Sequence, residues 1–315
     1  MITADDSRWL DLARASETYT CYSSAVATWA ALGGEDWRAL VDTGLNLTVA
    51  EADDDLFAFV HFPPGLRTQL GLARRSTGDA STATEAILEE LERSGRVVVA
   101  GDGFALPWHV AHGKRHVPHW FVLAGSSSAP VVVDPFSARN DLGLQQPTLE
   151  PLPAGLADLA RTDLAGDDVV MLREAFALGD DQRPVPHEPF QWLVRDDVRD
   201  AAAPPAGESG PAAIRRLARY FRERGGEPSA YRQSDDIWSI GRHRAFLARR
   251  AADGGAAAWV EEHLDPLAKR WSHMAPLLMQ AVLAVRAGRA PSGSVATTLD
   301  ELADREEAAA AASPA

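Results

Sequence analysis

Residues 118–136 read PHWFVLAGSSSAPVVVDPF, and this stretch decides the fold of the first half of the chain. Residues 120–124 and 131–133 are short apolar runs rich in aromatic and β-branched side chains, the composition of buried strands. Between them, residues 126–130 are turn-forming and few enough for a hairpin. His119 opens the first run and Asp134 closes the second, where Pro135 ends the strand by withholding a backbone donor.

A third run of the same kind lies upstream at residues 97–100, VVVA, which predicts three strands of one sheet. Before it, residues 81–94, STATEAILEELERS, put Ala86, Ile87 and Leu91 on one helical face and glutamates on the other. Further upstream, residues 16–32, SETYTCYSSAVATWAAL, begin with capping-type residues and continue with Ala25, Val26, Trp29 and Leu32 at helical spacing. Cys21 therefore falls near the start of a buried helix that Gly33 and Gly34 close. Downstream, residues 168–178 and 190–194 are apolar runs that fit either a strand or a helix. Residues 201–213, AAAPPAGESGPAA, read as a linker, and the remainder of the chain has helical pattern with breaks at 225–226, 254–255 and 288–293. The last alanines and the closing SPA are expected to fray. The expectation is an α+β chain, with a mixed domain over residues 1–205 and a small helical domain over 206–315.

The composition narrows the classes of function. With 315 residues, 46 % apolar and 24 % charged, the chain has the profile of a globular protein with room for two cores. Its first residues carry Asp5, Asp6 and Asp11 where an export signal needs a basic end and an apolar run. No stretch of about 18 uninterrupted apolar residues occurs. A cytoplasmic location without a membrane partner is expected. The net charge of −14 repels phosphate backbones and argues against nucleic acid as a partner. One cysteine permits no internal disulfide and no cysteine-based zinc cluster, so Cys21 is either inert or special.

Three residues form a chemical constellation. A thiol is a nucleophile as thiolate, a form favoured by a helix N-terminus and a neighbouring imidazolium. Cys21 has the first condition by sequence, and His119, on the end of a strand, is placed to supply the second as base. A catalytic histidine needs an acceptor on its other ring nitrogen to fix the tautomer, and Asp134 sits on the next strand, close in sequence and cheap to bring near. Each residue also has a plainer reading: a small core cysteine, a strand-end histidine, a turn carboxylate before proline. Their order is what favours the catalytic one.

That order, a cysteine at a helix start, a histidine opening a strand and an aspartate closing the next, is similar to papain-like cysteine enzymes. More closely, TCYSSAVATWAALGG (20–34), VVVAGDGFALPW (97–108), PHWFVLAG (118–125) and VVVDPF (131–136) resemble the N-terminal domain of the butirosin biosynthesis protein H family. The stretches IWSIGRHRAFLARRA (237–251) and LAKRWSHMAPLLMQAVLAVRAGRA (267–290) resemble the helical domain that comes after it there. The resemblance implies a papain-like core in which an N-terminal helix packs on an antiparallel sheet. It implies an acyl group passed from an acyl carrier protein or other thioester to Cys21, then to a small-molecule amine, forming an amide in natural-product biosynthesis without cofactor. Related peptidases use the same core to cleave peptides. Papain-like peptidases also place a glutamine shortly before the cysteine to bind the oxyanion, and the corresponding residue here is Ala15. The Cys21 backbone N–H remains available for that task, with Ser16, Thr18 or Tyr19 as the nearby hydroxyl for a second bond.

Other side chains invite assignment. Asp102 either pairs with an amine acceptor or caps a turn with Gly101 and Gly103, the turn being slightly favoured. Phe104 and Trp108 would wall a substrate pocket, or simply pack, and Tyr19 joins them as a substrate-side candidate. His109, His112, His116 and His119 suggest a metal site, but Pro107, Gly113 and Pro118 break the helix that would align them and no acidic ligand lies in the run. No metal is expected. Residues 211–250 hold ten arginines against four acidic side chains, a local balance of +6 that fits either a docking face for an acidic carrier protein or a solvated helix with internal ion pairs.

Overall fold

The computed structural model describes residues 7–38, 44–52, 56–60, 70–140, 142–153, 155–162, 188–196 and 206–313. The chain divides into two compact units, Met1–Val41 with Pro64–Ala202, and Asp42–Pro63 with Ala203–Ala315. Both mix helices with antiparallel sheet.

The sheet of the first unit is built on the hairpin read from residues 118–136. Strand β5 (Pro118–Ser126) pairs antiparallel with β6 (Ala129–Asp134), and Ser126 lies opposite Ala129, so Ser127 and Ser128 make the turn. Strand β4 (Arg96–Asp102) pairs with β5 along its whole length. Outside these lie β3 (Leu72–Thr77), β10 (Phe190–Arg195) and β9 (Thr148–Pro151), giving a 6-stranded sheet in the order β3-β10-β4-β5-β6-β9. A separate small ribbon joins β7 (Ala138–Asn140) to β8 (Gly143–Gln145). Residues 190–194, ambiguous by periodicity, are strand because β3 and β4 supply ladders on both sides of them. The other ambiguous run, 168–178, lies outside the described residues.

The middles of the central strands, residues 97–100, 120–124 and 131–133, are apolar because both faces of the sheet are covered there. Helix α3 (Ala80–Ser94) sets Ala83, Ile87 and Leu91 against Val97, Val99, Phe121 and Leu123 on one face, where the short helix α4 (Leu156–Leu159) adds Leu156 and Leu159. The intervening residues face the other way. There helix α2 (Cys21–Leu32) packs on β4 and β5, with Tyr22 edge-on to Trp120 at 5.6 Å between ring centroids. Helix α1 (Ser7–Ala15) precedes it and buries Trp9 and Leu12. Each fully buried valine of β4 contributes roughly 1.5–3 kcal/mol. Helix α3 starts where the Asp79 carboxylate accepts from Thr82 N at 2.8 Å, and stops where Gly95 turns left-handed at φ 73°.

In the second unit, β1 (Thr48–Glu51) pairs with β2 (Phe57–Val60) and with β11 (Glu208–Ser209). The expected boundary at residue 205 is therefore only half of the division: β1 and β2 leave the N-terminal segment and join this unit. Leu47, Val49, Phe57 and Phe59 share one apolar core with Ile214, Leu217 and Leu299 of the helices, and burying that face is what draws the hairpin across. Helices α5 (Pro211–Arg224) and α6 (Ser234–Asp253) end at the glycine pairs, as read from sequence. The C-terminal helix does not fray where expected. It runs Ser294–Ala311, with Ala309 buried and its carbonyl accepting from Trp259 Nε1 at 3.1 Å. In the core of this unit Arg244 and Glu306, each 1 % exposed, pair at 2.6 Å while Trp271 Nε1 donates to the same carboxylate at 3.0 Å. Among the described residues no helix is long and apolar enough to cross a membrane.

Candidate active site

The site begins with the start of α2. Thr20 is extended (φ −77°, ψ 165°) and its hydroxyl accepts from Ser23 N at 3.1 Å, an N-cap that makes Cys21 the first residue of the helix. Residues 16–18, expected as the head of this helix, form a separate short 3-10 turn. Residues 22–31 are buried, but Cys21 remains partly exposed, so its thiol stands at the positive end of a helix dipole and in reach of solvent.

His119 and Asp134 arrive from the hairpin. Val122 pairs with Val133 at this end of the hairpin, and His119 and Asp134 stand just past that pair on the two adjacent strands. His119 Nε2 donates to Asp134 Oδ2 at 2.7 Å, with both side chains 1 % exposed. Two further donors hold that carboxylate: Trp108 Nε1 reaches Oδ2 at 2.9 Å and Phe136 N reaches Oδ1 at 3.2 Å. With Nε2 taken by Asp134, Nδ1 is the ring nitrogen left for the Cys21 thiol. Burial alone would drive the imidazole to its neutral form, but the charge and hydrogen bond of Asp134, then the bond and charge of Cys21, push its pKa up to about 10. The three sequence-predicted residues are thus brought together as an aspartate-held imidazolium against a half-exposed thiol.

The segment between β4 and β5 closes over this group. Asp102 Oδ1 accepts from Phe104 N at 2.9 Å and Val117 N at 3.1 Å, while Oδ2 meets His116 Nδ1. Its carboxylate is spent on closing the loop, as the turn reading expects. Phe104, 39 % exposed, stacks on His116 at 4.4 Å. Gln145 Oε1, from β8, accepts from Val110 N at 2.7 Å and pins the far side of the loop. By sequence Trp108 is only an apolar wall; in the fold it packs on Phe121, and its indole N–H also orients Asp134. Among the loop histidines, His109 is turned inward. It is 8 % exposed, with its ring 4.5 Å from that of His119 and its Nδ1 accepting from Ala111 N at 3.1 Å. Burial first, and the His119 charge second, lower its pKa to about 3. The gap at Gly103 was the available signal, since a Cβ there would lie 2.5 Å from His109 Nδ1.

Other expected residues lie elsewhere. Tyr19 is wholly buried, edge-on to Trp37 at 6.0 Å, rather than in a pocket wall. Ser16 Oγ bonds Ser24 Oγ at 2.7 Å and Thr18 Oγ1 donates to Ala15 O at 2.6 Å, so these hydroxyls are engaged within the fold. His112 is exposed, and among the described residues no group of three or more His, Cys, Asp or Glu is arranged to hold a metal ion. Six of the ten arginines of residues 211–250, namely Arg215, Arg216, Arg219, Arg222, Arg224 and Arg244, are met by acids of their own unit. Arg215 pairs with Asp304 and Glu307 at 2.8 and 2.7 Å, Arg219 with Glu208 at 3.0 Å, and Arg216 with Glu51 and Glu208. This is the pattern of a solvated face with internal ion pairs.

Compared with known proteins, the chain matches no family model and no curated protein.

Proposed function

We propose that the protein is a cysteine-dependent acyltransferase with a papain-like core, moving an acyl group from a thioester through acyl-Cys21 to an amine. The observation that carries this reading is the buried His119–Asp134 pair, 2.7 Å apart, with the partly exposed Cys21 at a helix start among the groups that raise the histidine's pKa. Such a pair keeps the imidazolium ready to release a proton to a leaving group and to take one back from an acceptor. The resemblance to the butirosin biosynthesis protein H family supports the same assignment.

In the first step the Cys21 thiolate attacks the thioester carbonyl carbon, the donor's C–S bond breaks, and the departing thiolate takes the His119 proton. In the second, an amine attacks acyl-Cys21, the new C–N bond forms as the Cys21 C–S bond breaks, and His119 takes the amine proton. Thioester and amine become amide and thiol, with no redox change and no cofactor. The donor is an acyl carrier protein or another thioester, and the acceptor a small amine, in natural-product assembly within the cytoplasm. Water in place of the amine would give a hydrolase or peptidase with the same triad.

Intact-protein mass spectrometry tests the proposal, using wild type and Cys21→Ala incubated with acyl N-acetylcysteamine and acyl carrier protein thioesters. Wild type gains the acyl mass and Cys21→Ala does not. Adding amines then discharges the acyl-enzyme faster than water does. A wild type that no thioester loads, with a thiol that iodoacetamide modifies no faster than free cysteine, would leave only a binding role for the protein.

A further inference from the structure

Acyl transfer develops negative charge on the carbonyl oxygen, and an active site lowers the barrier by aiming fixed hydrogen-bond donors at that atom. The backbone N–H of Cys21, at the first position of α2, is one such donor, because the opening N–H groups of a helix have no carbonyl within the helix to bond. The side chains around the site narrow the choice for a second. Ser16 and Thr18 spend their hydroxyls on Ser24 and the Ala15 carbonyl, Thr20 caps α2, Tyr19 is wholly buried, and the Trp108 indole donates to Asp134.

His109 is differently placed. The Ala111 N–H occupies its Nδ1 as donor, which obliges the neutral ring to carry its proton on Nε2. That Nε2–H has no hydrogen-bond partner among the described residues, although the residue is buried and its ring lies 4.5 Å from that of His119. Gly103 leaves room for this placement, Asp102 ties the two ends of the loop through Phe104 N and Val117 N, and Gln145 holds its middle at Val110 N. The result is a donor of fixed tautomer, beside the base, with no partner among the described residues.

We propose that His109 Nε2–H is the second donor to the acyl oxygen of the tetrahedral intermediate. The inference rests on the acyl-transfer reading and adds to it the group that binds the oxyanion. His109 is the neutral member of the histidine pair, with its pKa lowered to about 3 by burial and by the His119 charge. It therefore donates a hydrogen bond throughout the working range without competing for the proton that His119 moves.

The test compares two reactions of Cys21 that differ in whether an oxyanion forms. Acylation by an acyl N-acetylcysteamine thioester passes through a tetrahedral oxyanion; alkylation by iodoacetamide, at a saturated carbon, does not. His109→Leu and the ring-retaining His109→Phe, both lacking the donor, are expected to slow acylation on the order of 10²–10³-fold and to leave alkylation within a few-fold of wild type. His109→Gln, which keeps an N–H donor, recovers part of the acylation rate. Acylation that survives in both Leu and Phe variants overturns the proposal. So does a parallel fall of both reactions in His109→Phe, which would make the ring a prop for His119 and not an oxyanion donor. A wild type that no thioester acylates removes the acyl-transfer reading first and this assignment with it, and is recognised without any variant.

Discussion

Replacing Asp134 with asparagine isolates the electrostatics of the site with little change of shape. In the native protein His119 titrates at about 10 instead of 6.5, although its burial works in the opposite direction. The difference corresponds to a net balance on the order of 5 kcal/mol in favour of the imidazolium, with the Asp134 charge first among the groups that favour it. With its amide oxygen in the place of Oδ2, the new side chain still accepts from Trp108 and loses only the longer bond from Phe136 N, so the hairpin should keep its register. It would offer no charge, and desolvation would then dominate and leave His119 neutral at pH 7. The expected result is a His119 ring that no longer holds its proton above pH 6.5 and an acylation rate lower on the order of 10³–10⁴-fold. Imidazole carbon shifts followed by NMR from pH 5 to 11 read the first, and mass-spectrometric acylation the second. An Asp134→Asn protein whose His119 stays protonated beyond pH 8, or which acylates within tenfold of wild type, would refute the account of Asp134 as the group that sets the charge of the base.

Trp108→Phe keeps the packing on Phe121 but removes a donor to the carboxylate; acylation should fall about tenfold and stability by about 1–2 kcal/mol, read by kinetics and urea unfolding. The two buried histidines give opposite pH dependences of stability. As pH rises from 6.5 to about 10, the unfolded chain releases the His119 proton that the native state keeps, so this contribution to stability falls. As pH drops from 6.5 to about 3, the unfolded chain binds a proton at His109 that the native state excludes, so stability falls there too. Denaturant titrations across both windows should show the alkaline slope flatten in His119→Gln and the acid slope flatten in His109→Gln; unchanged slopes would contradict the assignment. In the second unit, Glu306→Leu leaves Arg244 buried without its counter-charge and should cost about 3–5 kcal/mol in urea unfolding, whereas reversing the exposed Arg215 should leave the unfolding midpoint nearly unchanged.

Much of this protein follows from local chemistry. The hairpin at 118–136 is legible because β-branched and aromatic runs flank a short turn, and α3 because its apolar residues recur at helical spacing between a capping Asp79 and the left-handed Gly95. Cys21 at a helix start follows from Thr20 and the apolar run behind it, and His119 and Asp134 follow from their places at the two ends of the hairpin. All of these depend on residues within a few turns of one another.

The features that local chemistry leaves open depend on partners distant along the chain. Residues 190–194 are strand because β3 and β4 receive them on both sides, and the β1–β2 hairpin belongs to the second unit because Ile214 and Leu217 offer it an apolar face. The roles of Trp108 and His109 were hidden for the same reason. An indole or an imidazole in a loop carries no sign of what it will meet, and only the closing of residues 103–117, fixed by Asp102 and Gln145, brings the one onto Asp134 and the other onto His119. Local propensity determined the strands, the helices and the places of Cys21, His119 and Asp134 along the chain; tertiary burial decided which polar atoms were consumed by the fold and which were left without a partner among the described residues, because hydrogen-bond satisfaction is settled only when every competing partner is in place.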